Sequence, residues 1–188
     1  QPIWMAEAAA EATNGVTSGD WQASGVSIDT RTLREGDLFI ALSGPNFDGH
    51  DYVLSALENG AAAAVVQADK APGFRSTSPN SSLLEVADTM AALEDLGRAA
   101  RQRSSARIIA VTGSVGKTGT KEALKLAFGT QGRVSATEGN LNNHFGLPLS
   151  LARMPENTEF GIFEMGMNHP GEIAPLSSMA RPDVAVIT

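Results

Sequence analysis

The chain has no cysteine in its 188 residues. That excludes disulfides, thiolate catalysis and cysteine-ligated zinc. It holds no run near the ~18 uninterrupted apolar residues a membrane-crossing helix needs, so no such helix is expected. Its start lacks a basic stretch leading into an apolar core, so a signal peptide is not expected either. Positive charge is in deficit, with 14 Lys and Arg against 21 Asp and Glu, a net −7. A general nucleic-acid binder needs clustered basic residues, so that class is disfavoured. An anionic substrate must instead be held by local groups. There is no internal repeat, no low-complexity tract and no convincing Ser–His pair for nucleophilic catalysis. The remainder is ordinary for a folded protein, 42% hydrophobic and 19% charged, and long enough for one large or two small domains.

What is present centres on residues 107–128, RIIAVTGSVGKTGTKEALKLAF. Ile108, Ile109, Ala110 and Val111 form an apolar run of the kind found in buried parallel strands. A Gly-rich turn, 112–118, follows, and then a helical pattern with Ala123, Leu124, Ala127 and Phe128 on one side. Strand, glycine turn, Lys-Thr and helix make a phosphate-binding loop. Gly113 and Gly116 let successive backbone N–H groups turn toward phosphate oxygens. The helix starting near Lys117 adds the positive end of its dipole. Lys117 supplies a point charge for the β- and γ-phosphates, and the Thr118 hydroxyl is the expected Mg²⁺ ligand. Ser114, Val115 and Gly119 complete the ATP-contacting set. The longer pattern G-x-x-x-x-G-K-[ST] would need Gly at 111, where Val111 stands; the match is to the shorter T-G-x-x-G-K-T.

Upstream, strands are expected at 26–28, 38–42 and 61–66, with helices over 3–13 and 52–59, an alternation that suggests a small α/β domain. Residues 43–50 read as a loop. Residues 71–82, rich in Pro, Ser and Gly, read as a loose surface loop. Val86, Met90, Leu93, Leu96 and Ala100 recur at helical spacing, so 84–103 is expected as one helix, its Arg98, Arg101 and Arg103 compensating the dipole at its own C-terminal end. Downstream, 134–136, 160–163 and 183–188 read as strands, and 147–153 and 172–179 as helices. Glu164 ends a strand beside the phosphate loop, a position from which a carboxylate can hold Mg²⁺ or its water shell. Lys117 and Glu164 are the expected catalytic residues, and Thr118 and Glu164 the expected metal ligands. Asn140, Asn142 and Asn143 lie in a turn whose amides can donate to diphosphate oxygens and accept from sugar hydroxyls.

The T-G-S-V-G-K-T loop resembles the ATP loop of the Mur ligase family, the amide-forming ligases of peptidoglycan synthesis. The stretches TEGNLNN (137–143) and FEMGMNHPGEI (163–173) resemble the branch of that family that adds D-alanyl-D-alanine to UDP-N-acetylmuramoyl-tripeptide. The resemblance covers nearly the whole chain, most strongly 108–188. It implies an N-terminal α/β domain holding the UDP part of the substrate, 1–104, followed by the first part of a P-loop-type parallel-sheet ATPase domain, 105–188. It implies ATP and Mg²⁺ as cofactors and the two peptidoglycan precursors as small-molecule substrates; ATP use without export signals makes the cytoplasm the expected location, and a monomer is expected. Thr30, Arg31 and Asn46 would contact uridine or diphosphate, with Asp48 and His50 shaping their loop. Of these, Arg31 stands on its own chemistry, since a guanidinium fits a diphosphate bidentately. Asn168 would contact substrate, and His169 would orient substrate or metal-bound water or else brace its loop. The resembled enzymes continue beyond such a strand with further catalytic and amine-binding residues, so this stretch alone is expected to lack ligase activity. Rivals are another Mur-type ligase, adding the third stem amino acid or glutamates to folate, and a non-catalytic P-loop nucleotide-binding module.

Overall fold

A computed structural model describes residues 1–139, 145–167 and 171–188. It is α/β, and the chain divides into two compact units, Gln1–Leu96 and Gly97–Thr188.

The first unit is built on a five-stranded sheet in the order Val16–Thr17, Leu83–Val86, Ala63–Gln67, Asp37–Ile40, Gly25–Ser27. The last four are mutually parallel, and Val16–Thr17 closes one edge antiparallel. The central strands are apolar on both faces because both faces are covered: Leu38, Ile40, Ala63, Ala64, Val65 and Val66 are all fully buried. On one face Phe39, Ala64, Val66 and Leu83 pack with Val53 and Ala56 of the helix Val53–Glu58 and with Ala71. A two-residue pairing of Trp4–Met5 with Gln22–Ala23 precedes the helix Ala6–Thr13, and a second, Ser43–Gly44 with Phe47–Asp48, occupies the expected 43–50 loop.

Two expectations need correction here. Residues 71–82 are not a loose loop. Ala71–Thr77 is a helix with Pro72 in its first turn, where the missing N–H costs nothing, and it seats Ala71 and Phe74 on the core. Nor is 84–103 one helix. Leu83–Val86 is a strand paired in parallel with Ala63–Gln67, and the helix is Thr89–Arg103. The Asp88 carboxylate marks the break by accepting a 2.7 Å bond from the Ala91 N–H, an N-cap that starts the helix afresh. Leu84 and Val86, two apart, belong to a strand's period and bury against the sheet.

The second unit carries four parallel strands in the order Val134–Ala136, Phe160–Glu164, Arg107–Thr112, Val184–Ile187. The strand that feeds the glycine loop is therefore central. Its side chains alternate. Ile109 and Val111, with Ile162, face Leu124 and Phe128 of the helix Lys117–Gly129. Ile108, Ala110 and Phe163 face Leu147 and Leu151 of Gly146–Ala152 and Leu176 and Ala180 of Ile173–Ala180. The crossover from Arg107–Thr112 to Val134–Ala136 and that from Phe160–Glu164 to Val184–Ile187 run in opposite directions across the sheet. Right-handed crossovers then put their helices on opposite faces, as observed. Arg101 serves the end of its own helix, as expected, donating from Nη1 to the Ser104 carbonyl at 3.1 Å, and its Nε also donates to the Ala180 carbonyl at 2.7 Å at the end of Ile173–Ala180. No helix among the described residues is long and apolar enough to cross a membrane.

Candidate nucleotide and substrate sites

The period of two along Phe160–Glu164 decides where Glu164 points. Ile162 faces the Lys117–Gly129 helix, so Glu164, two residues on, faces the same side. That brings its carboxylate to the first turns of the helix that follows the glycine loop. Thr118 Oγ1 donates to Glu164 Oε2 at 3.3 Å. Glu164 is fully buried, and its Oε1 has no hydrogen-bond partner. Its own N–H donates to Thr137 Oγ1 at 3.0 Å, which fixes the strand end beneath it.

The loop itself has the expected backbone. Gly113 (φ 133) and Gly116 (φ 88) occupy conformations that side chains disfavour, and Gly116 forms the cap from which Lys117–Gly129 starts. A Cβ at Gly113 would overlap the Thr188 backbone, so glycine is also required there for space. Gly119, by contrast, has nothing within 4 Å of where a Cβ would stand. Ser114, Gly116, Thr118 and Gly119 are exposed, as is Val115. The N–H groups of the helix's first turn have no intrahelical acceptor, and they open onto this exposed loop. Lys117 folds over the loop, Nζ donating to the Gly113 carbonyl at 2.7 Å.

A buried carboxylate whose Oε2 meets a neighbouring hydroxyl beside an anion-binding loop fits a hydrated Mg²⁺ held jointly with phosphates. Octahedral Mg²⁺ at ~2.1 Å from its ligands sets adjacent oxygens about 3 Å apart, close to the 3.3 Å between Thr118 and Glu164. No group of three or more His, Cys, Asp or Glu among the described residues makes an all-protein metal cage.

One residue here escaped the sequence reading. Lys121 is buried, its side chain 2% exposed. Its Nζ donates to the Thr137 carbonyl at 2.8 Å, pairs with Glu122 Oε1 at 2.8 Å and stands 3.5 Å from Glu164 Oε1. Hydrogen bonding from Lys121 lowers the Glu122 pKa.

In the first unit, the parallel strands Gly25–Ser27, Asp37–Ile40 and Ala63–Gln67 deliver their following loops to one rim of the sheet. Thr30 and Arg31, then Asn46, Asp48 and His50, then Lys70 follow these strands in turn. Arg31 is exposed, and Asp29 holds it through Nε at 2.9 Å and Nη2 at 2.6 Å. This bond lowers the Asp29 pKa. The guanidinium is thus pre-positioned on the rim but not free of a carboxylate. Asp48 organises the next loop. It accepts from Ser43, from the His50 N–H at 3.0 Å and from Lys70, and contacts His50 Nδ1 at 2.6 Å. The Lys70 bond, chiefly, holds its carboxyl well below the usual range. His50 is buried, and its Nε2 accepts from the Gln67 N–H at 3.0 Å. Both of its nitrogens are engaged, as befits a brace. Lys70, which no motif in the sequence marks, is brought to Asp48 by the fold. Asn140, Asn142, Asn143, Asn168 and His169 lie outside the described residues.

Residues 22–101 match the Mur ligase family catalytic domain, and residues 111–188 match the Mur ligase middle domain. The chain belongs to the Mur ligase family. Among curated Mur ligases, the UDP-N-acetylmuramoyl-tripeptide--D-alanyl-D-alanine ligase of Bacillus subtilis is 49% identical over 87% of this chain and 35% of its own length. The enzyme of that name from Escherichia coli is 38% identical over 93% of this chain and 37% of its own. A crystal structure of MurF from Acinetobacter baumannii superposes with a TM-score of 0.82 at 35% identity, covering all of this chain and 40% of the other. A Thermotoga maritima MurF ligase solved in complex with ADP matches at 0.62, again at 35% identity, over 87% of this chain and 36% of its own. The chain thus spans well under half the length of these Mur ligase relatives.

Proposed function

We propose that the protein is an ATP-dependent ligase of peptidoglycan precursor synthesis, working in the cytoplasm, that joins D-alanyl-D-alanine to UDP-N-acetylmuramoyl-tripeptide. The observation that carries the reading is the glycine loop with Thr118 set against the buried Glu164, in a chain similar along most of its length to enzymes bearing that name. In this reading the terminal carboxylate of the tripeptide attacks the γ-phosphorus of ATP, releasing ADP and leaving an acyl phosphate. The amine of D-alanyl-D-alanine then attacks the acyl carbon, and phosphate departs as the amide forms.

The chain's own residues deal with the central difficulty, two anions held side by side. The first-turn N–H groups after Gly116 and the Lys117 ammonium bind the β- and γ-phosphates and stabilise charge as the phosphoryl group transfers. Lys117 exchanges the Gly113 carbonyl for phosphate oxygens. Thr118 and Glu164 would hold Mg²⁺, which when bound would offset phosphate charge. No nucleophilic side chain is required. In the first unit, Thr30, Arg31 and Asn46 bind the uridine diphosphate end, and Asp48 and His50 hold their loop in shape. Asn140, Asn142 and Asn143 are assigned to the diphosphate and muramoyl parts, and Asn168 and His169 to orienting the substrate.

The test is phosphate release from ATP by the full-length protein, given UDP-N-acetylmuramoyl-tripeptide with and without D-alanyl-D-alanine. Release that requires both substrates is expected. Release indifferent to both would favour a generic ATPase module. Release that requires a diamino acid and the dipeptide precursor would keep the family and change the branch.

A further inference from the structure

Lys121 is buried where a lysine is rarely found without a charge to meet. It lies one turn into the Lys117–Gly129 helix, on the side that faces the sheet. Packing alone does not call for it, because an apolar side chain of similar length would fill the space without the desolvation of an ammonium. Its nearest acceptors are the Thr137 carbonyl and Glu122, both at 2.8 Å, and Glu164 Oε1 at 3.5 Å. Glu122 is half exposed and screened by water, whereas Glu164 is fully buried. In the interior, then, the balance is one ammonium against one carboxylate, and that carboxylate is the one facing Thr118.

We propose that Lys121 is a positioning residue and standing counter-charge for Glu164. The inference rests on the reading of Glu164 as the Mg²⁺ ligand. Lys121 attracts Oε1, which leaves Oε2 turned to Thr118 and the phosphate loop. It also neutralises the carboxylate when no cation is bound, so that nucleotide phosphates approaching the loop do not meet an uncompensated buried negative charge. The Thr137 carbonyl anchors Lys121 from one side, while the Thr137 hydroxyl accepts from the Glu164 N–H. One threonine therefore fixes both members of the pair.

A role confined to packing would weaken nucleotide binding equally with and without the metal. A counter-charge would not. Without Lys121, ADP binding in EDTA suffers from the exposed charge of Glu164, while in Mg²⁺ that same charge retains the cation more strongly. The experiment measures ADP affinity by calorimetry on the full-length protein, in excess Mg²⁺ and in EDTA. The variants are Lys121→Met, Glu164→Gln and the double substitution. Lys121→Met is expected to weaken binding in EDTA about tenfold or more, the scale of coupling between close charges, and to change binding in Mg²⁺ much less. In the Glu164→Gln background, Lys121→Met is expected to leave the ratio of the two affinities unchanged. Equal weakening in both conditions, or the same effect with and without Glu164, overturns the inference. If Glu164→Gln alone leaves the Mg²⁺ dependence intact, the metal reading of Glu164 fails and this inference with it. If Glu164→Gln removes that dependence but Lys121→Met does not alter it, only the role of Lys121 fails. Should Lys121→Met not fold, recovery of folded protein in the double variant supports the pairing, since two neutral side chains replace the buried pair. Failure of the double variant to fold overturns it.

Discussion

At the scale of single residues, the decisive contrast is between charges set to meet a ligand and charges set to brace a loop. Lys117 rests on a carbonyl of its own exposed loop, a bond that a phosphate can replace. Lys117→Ala is expected to lower substrate-dependent phosphate release by about 100-fold or more, the usual cost of removing one preorganised group from a charge-stabilising site, with little change in melting temperature. Asp48 belongs to the other kind. Its carboxyl is held below its ordinary value of 3.8, chiefly by Lys70. A depressed folded value means that the stabilisation is fully present above pH ~4 to 5 and fades as the pH falls below that. Asp48→Asn is therefore expected to lower stability at pH 7, by about 1 kcal/mol or less for a pair one-third exposed. The gap from the unsubstituted protein should narrow between pH 5 and pH 2.5 in thermal melts. A gap constant across that range would contradict the assignment.

At the scale of elements, the glycine loop and its helix make separable demands. Gly113 combines a positive φ with a backbone neighbour where a Cβ would stand, whereas Gly119 faces open space. Gly113→Ala is expected to abolish measurable ADP binding. Gly119→Ala is expected to leave binding within about threefold and to raise stability by up to ~1 kcal/mol, the helical preference of alanine over glycine. Melting curves and calorimetry on the two variants distinguish these outcomes. The same elements show what could be read from the sequence. The strand before the loop, the loop and the Val134–Ala136 strand were legible because apolar runs, glycines and turn residues mark them locally. Glu164 was legible as a carboxylate at a strand end. The Leu83–Val86 strand was not, since Val86 also fits the helical spacing of Met90, Leu93 and Leu96, and only pairing with Ala63–Gln67 separates the two periods. Lys121 was hidden for a related reason. A lysine in a KEALK run reads as solvated helix surface, and its burial depends on a carboxylate 43 residues away in the chain.

At the scale of the whole molecule, two sheets each gather candidate ligand groups where parallel strands end, one around Thr30, Arg31 and Asn46, the other around Lys117, Thr118 and Glu164. Each unit has its own core. Phe163, fully buried among Leu147, Leu151 and Leu176, supports the second. Phe163→Ala is expected to cost that unit about 3–5 kcal/mol. Hydrogen exchange should show the loss of protection within 97–188 first, and loss spread evenly over both units would contradict the division. UDP is expected to protect amides in the first unit. The most direct measurement remains phosphate release from ATP by the full-length protein with UDP-N-acetylmuramoyl-tripeptide and D-alanyl-D-alanine, singly and together. The account expects release only when both are present, and its loss in Lys117→Ala. Release that ignores either precursor would contradict it.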